Sequence, residues 1–221
     1  MSETQRAAST LLDGGASVVM GGNLLSFLSG VAKVDQRFIK DSMRWAEFRA
    51  DQRHNRKHEP AAWFEFYSGV LWSVGWGLEY EPVIVADEDF TGNVLDRWAK
   101  SVATLISRSK IAAMKETFQL LEFSPAGIDV LSDGARAWAD FRFSPAQYNA
   151  QKELEIVISN VRFLHADWSS NYLFWTVQHS GAQLDIQSRR FAIKPRQMEE
   201  YRARLSEAVL EMRTAEIELT R

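Results

Sequence analysis

The stretch VIVADEDFTG (83–92) sets two carboxylates, Asp87 and Asp89, two residues apart behind a short apolar run that predicts a strand. Covalent catalysis by a carboxylate needs such a strand-end placement, with magnesium to offset the charge. The same residues imitate a calcium loop, with Asp87, Asp89, Thr91, Gly92 and Asn93 at positions 1, 3, 5, 6 and 7. Position 12, which requires a bidentate Glu, is Trp98. That substitution argues against a tight calcium site and for an Asp-rich turn leading into a capped helix.

A strand ending in D-x-D-x-T resembles the first motif of haloacid-dehalogenase-type phosphatases. The resemblance implies Asp87 as nucleophile and Asp89 as general acid/base, with magnesium to offset the charge, and it covers ten residues. Such an enzyme needs a parallel sheet of alternating strands and helices. Here the chain after residue 92 reads as helical and then antiparallel, and no acidic pair follows another strand. A metal-dependent phosphatase, with Asp87 and Asp89 as its metal candidates, is the weakest of three functional readings.

Other chemistry finds less support. His54 and His58 are one helical turn apart, as metal ligands can be, but Arg53, Arg56 and Lys57 crowd them and no third ligand is evident. The chain has no cysteine, which removes disulfides, thiolate zinc sites and a cysteine nucleophile. No G-x-S-x-G, H-E-x-x-H, Walker or dinucleotide motif occurs, so no catalytic residue and no cofactor is assigned. A net charge of −3 gives no nucleic-acid signal. The cluster Arg44, Arg49, Arg53, Arg56 and Lys57 is interspersed with Asp41, Glu47 and Asp51 and reads as a mixed, solvated face.

These residues must be held by a chain of 221 residues with 46% hydrophobic and 25% charged content, which suits a globular protein with an aromatic-rich core. The periodicity predicts a helix over 34–58 with a stripe of Val34, Phe38, Trp45 and Phe48. The segment 60–78 carries one charge, Glu65, and predicts a buried central helix, too interrupted by Ser and Gly for a membrane span. A strand at 82–86 and helices at 93–107 and 109–122 follow. The tetrapeptide FSPA occurs at 123–126 and 143–146, each time suiting Ser as N-cap and Pro as first helical residue. Segments 153–165, 171–179 and 182–194 predict a three-stranded antiparallel meander. A C-terminal helix over 195–219 would carry a heptad-like seam of Met198, Tyr201, Leu205, Met212 and Leu219, interrupted by Ala208 and Ala215. The expected class is α+β, with a helical N-terminal two-thirds, the meander and the long last helix.

The opening segment GGASVVMGGNLLSFLSG (14–30) is too apolar for a linker, through Val18, Val19, Met20, Leu24, Leu25, Phe27 and Leu28. Its glycines favour packing against a protein surface over insertion into lipid. Residues 1–31 are expected to form a flexible or contact-forming arm on a single α+β domain over 32–221. The first functional reading is a non-enzymatic protein acting by self-assembly or partner binding, a homo-oligomer or the complement of a protein partner, with 11–31 and the C-terminal seam as contacts. The second is a membrane-active, toxin-like protein that releases 11–31 or 60–78 into lipid. No secretory leader is visible, so the expected location is the cytoplasm, or outside the cell by release without such a signal.

Overall fold

A computed structural model describes residues 15–138, 140–164, 176–177, 182–212 and 214–220. The glycine-rich opening segment folds as a β-hairpin, β1 (Ala16–Met20) and β2 (Asn23–Phe27), joined by Gly21–Gly22. Gly21 has φ 51°, the left-handed conformation that two-residue hairpin loops require and glycine supplies without strain. Near-continuous apolar residues mark a strand covered on both faces. The hairpin sits inside an eight-stranded sheet whose order runs β10–β1–β2–β6–β7–β9, with β3 and β4 both paired to the far side of β9. Its other members are β3 (Gly77–Leu78), β4 (Val83–Asp87), β6 (Asp140–Tyr148), β7 (Leu154–Leu164), β9 (Gln183–Ile193) and β10 (Glu216–Leu219). Among the described strands of this sheet only β2 and β6 run parallel.

Helices cover both faces. On one side α1 (Lys33–Arg53), α2 (Pro60–Ser73) and α6 (Pro195–Ala208) enclose a core that includes Phe38, Trp63, Tyr67, Phe27 and Ile156. On the other, α3 (Val94–Ser101), α4 (Arg108–Glu122) and α5 (Pro125–Trp138) enclose Trp98, Phe118, Phe141, Phe143 and Ile186. The opposed strand faces explain the alternation: Val18 and Met20 join the first core, Val19 the second. Helix α5 comes so close to the hairpin that a Cβ on Gly134 would lie 2.4 Å from the Gly22 backbone nitrogen.

The chain is a mixed α and β protein, but the expected arrangement is overturned. The N-terminal two-thirds is not helical, because residues 16–27 and 140–148 supply central strands. Helix α2 is not a buried central helix. It ends at Ser73 and buries one side, Trp63, Phe64, Tyr67, Ser68, Val70 and Leu71, while the sheet takes the central place. Helix α1 likewise turns Phe38, Ile39, Met43, Ala46 and Ala50 inward, leaving Val34 and Phe48 exposed; small alanines let it lie close to its neighbours.

The meander is also corrected. β7 and β9 pair directly, so no middle strand separates them. Of the expected strand 171–179, only Thr176–Val177 (β8) is described, paired with Gly92–Asn93 (β5) outside the main sheet; the remainder lies outside the described residues. The C-terminal helix stops at Ala208, and EIEL (216–219), whose apolar residues alternate with period two, pairs antiparallel with β1. The first FSPA does start a helix, with Ser124 Oγ accepting from the Gly127 amide at 3.1 Å. The second lies within β6, where Pro145, lacking an N–H, coincides with a lapse in the register between Phe143–Ser159 and Ala146–Ile156.

Candidate functional site

The seven apolar residues expected on the arm are buried within this chain. Val18, Met20, Leu25 and Phe27 pack under α1 and α2, Val19 and Leu24 pack on the opposite face, and Leu28 packs against Ala113. The five seam residues separate. Met198 and Leu205 are buried and Tyr201 and Met212 half-buried on the α1 side, whereas Leu219 belongs to β10 and packs on the other side. Tyr201 packs against Gly75, where an added Cβ would meet its ring at 2.9 Å. Neither group presents an exposed side chain. Among the described residues, no helix is long and apolar enough to cross a membrane.

The acidic turn keeps the expected local structure, with Asn93 Oδ1 accepting from the Asp96 amide at 3.0 Å to cap α3. Asp87 closes β4 and accepts a hydrogen bond from Arg97 Nε at 3.2 Å, while Asp89 is exposed on the following turn. Among the described residues no group of three or more His, Asp or Glu stands close enough to hold a metal ion. The strand before Asp87 lies at the sheet margin and runs antiparallel to β9, unlike the parallel setting that the phosphatase resemblance implies.

Arg56 and Glu47, expected on a solvated face, instead belong to a charge cluster at the end of the first core. Arg56 lies in the turn between α1 and α2 and is 1% exposed; it donates to Asp140 through Nε at 2.9 Å and through Nη2, and to Glu47 through Nη1 at 2.7 Å. Arg142 donates to the same Glu47 oxygen at 2.8 Å and to Asn23 through Nε. Both guanidiniums stack on Trp63, at 4.3 and 5.3 Å from its ring centroid. Burial favours the neutral acid form of Glu47, but Arg142 and then Arg56 outweigh it and hold the carboxyl at about 2. Burial likewise raises the Tyr67 hydroxyl well above its ordinary range. Each ionic group here is answered by another, so the cluster ties the α1–α2 turn to β2 and β6. In DFRF (140–143), Asp140 and Arg142 alternate with Phe141 and Phe143, which ordinarily signals a water-facing row. The hydrophobic pattern held no sign that a helical turn would cover that row with complementary charge.

The surface that remains unanswered is the margin formed by residues 77–89. Chain from β3 to β4 follows β9, interrupted around Tyr80–Pro82; Glu79 keeps contact by donating its amide to the Arg190 carbonyl at 3.0 Å. Glu79 also pairs with Arg190, which meets buried Glu155, itself paired with buried Lys110. The strand is thus anchored to the core from one side. Among the described residues no strand pairs with the other side of β4. Here Ile84 is 68% exposed, with Leu78 and Tyr80 at 50% and Trp72, at the end of α2, at 74%. Five acids lie between 79 and 89 with no basic residue among them. Arg190 and Arg97 pair with Glu79 and Asp87, while exposed Glu81, Glu88 and Asp89 have no ionic or hydrogen-bond partner among the described residues.

No family model and no curated protein matches this chain. Among solved structures it is similar to that of the Evf virulence factor, at 11% identity, with a TM-score of 0.34, covering 94% of this chain and 87% of that one. A likeness of that size carries neither fold nor function from one chain to the other.

Proposed function

We propose that this chain is a non-enzymatic, partner-binding protein whose contact surface is the β4 margin of the sheet. The observation that carries the reading is Ile84, an isoleucine 68% exposed in the middle of a strand that has no neighbour on its outer side among the described residues. Such a strand presents unpaired main-chain donors and acceptors, and native proteins usually cover, shorten or charge it along its length. β4 carries its charge only at and beyond its ends, leaving VIVA apolar between them. Exposed Leu78 and Trp72 line one shallow cavity toward α2.

Partner binding is favoured over self-assembly at this margin, because a second copy would bring the same acids against Glu81, Glu88 and Asp89. The test is selection of displayed random peptides on the full chain, with counter-selection on the Ile84→Arg variant. Peptides that bind the wild type and lose the variant are the expected result. Recovery of only peptides that bind both equally would remove β4 as the contact surface.

A further inference from the structure

Three observations at the β4 margin define a kind of partner. The strand is extended and, among the described residues, open on one side, so a second extended chain can add to the sheet through main-chain hydrogen bonds. Its exposed side chains are apolar in the middle: Ile84 and Ala86 point away from the helical core, and Tyr80 lies before them with the Arg190 guanidinium 4.6 Å from its ring centroid. Acids without partners among the described residues stand at both ends, Glu81 before the strand, and Glu88 and Asp89 after it. We infer that this margin receives an extended peptide with an apolar centre flanked by lysine or arginine, added as one more strand of the sheet. The inference rests on the partner-binding reading above and specifies the partner's chemistry.

Charge complementarity selects this occupant. The five residues of β4 span about 17 Å, so one peptide of seven to nine residues reaches the acids at both ends at once. A bound cation there meets carboxylates that no described residue neutralises, unlike Glu79 and Asp87, which Arg190 and Arg97 already hold. An acidic peptide would be repelled at both ends, and so would a second copy of this chain. Main-chain pairing supplies affinity without regard to sequence, and the flanking charges then discriminate among extended chains.

The experiment uses the full chain and two acetylated peptides, Lys-Arg-Val-Thr-Val-Thr-Val-Arg-Lys and its counterpart with Glu at the four charged positions. Calorimetry gives affinities, and amide shifts of the 15N-labelled protein give the location. The basic peptide is expected to bind and to shift the amides of 83–87 and 184–188, while the acidic peptide does not bind. Glu81→Gln, Glu88→Gln and Asp89→Asn together should weaken the basic peptide about tenfold. Methylation of alternate peptide nitrogens should abolish binding, because it removes the strand donors. Equal affinity for the two peptides, no loss in the triple variant, shifts elsewhere, or no binding at about 1 mM would each overturn the inference. Should the displayed selection yield β4-dependent peptides without basic ends, partner binding stands and this specificity falls. If it yields no β4-dependent peptide, both fall.

Discussion

Two regions rich in ionic side chains behave in opposite ways. Around Glu47, Arg56, Asp140 and Arg142, opposite charges are largely withdrawn from water and interlocked by hydrogen bonds, joining two parts of the chain more than eighty residues apart. Along 79–89, charge of one sign lies in water and more than half of the acids have no partner among the described residues. The difference separates charge that maintains the fold from charge left for something outside it. The opposite sheet margin stands between them: Glu216 on β10 pairs with both Lys40 and Arg44 of α1, so its acid is already answered by this chain.

The comparison breaks most visibly at Arg142. Arg142→Met leaves half-buried Glu47 paired with Arg56 alone, and loss of that charged hydrogen bond should destabilise the fold by about 1.5–3 kcal/mol. Urea unfolding measures this; a change below about 1 kcal/mol would mean the cluster does not hold the strands.

Acid comes next. The native Glu47 carboxyl sits near 2 against an ordinary 4.5, so the unfolded chain binds the proton more readily. Its contribution is complete above about pH 4.5 and is lost as pH falls toward 2. Melting temperature should drop across that window, and Glu47→Gln should flatten the drop while lowering stability at pH 7. An unchanged acid limb in the variant would assign acid sensitivity to other groups.

At the closed margin, Glu216→Gln should lower stability by about 0.5–1 kcal/mol, in keeping with a half-buried pair, and the loss should shrink in salt. The smallest effect belongs to the open margin. Glu81→Gln, Glu88→Gln and Asp89→Asn together should leave stability within about 0.5 kcal/mol of wild type, since no described contact is lost. A large destabilisation there would place these acids among the groups that maintain the fold and erase the contrast.

Much local structure was legible in the sequence. The Asn93 cap, the strand before Asp87 and the first FSPA helix start all follow from residue type and spacing. The second FSPA shows the limit. Its four residues have the same helix-starting chemistry, but Phe141 and Phe143 alternate into the core beside Trp98 and Phe118, and burial of those rings outweighs a cap preference of about 1 kcal/mol. The seam failed for a related reason: heptad spacing through Met212 and Leu219 ran over the period-two pattern of EIEL, which only its pairing with β1 distinguishes.

The sequence alone determined a cysteine-free, aromatic-rich mixed chain, the helix starts at Asn93 and Ser124, and an apolar strand set among acids between 79 and 89. These depend on neighbours a few residues apart, where backbone preference and periodicity act directly. Tertiary structure alone decided that the glycine-rich segment lies within the sheet, that Arg56 meets Asp140, and that β4 is left at the margin. Each depends on strand order and on contacts across tens to more than a hundred residues, and a local pattern does not encode which strand, or which opposite charge, will arrive beside it.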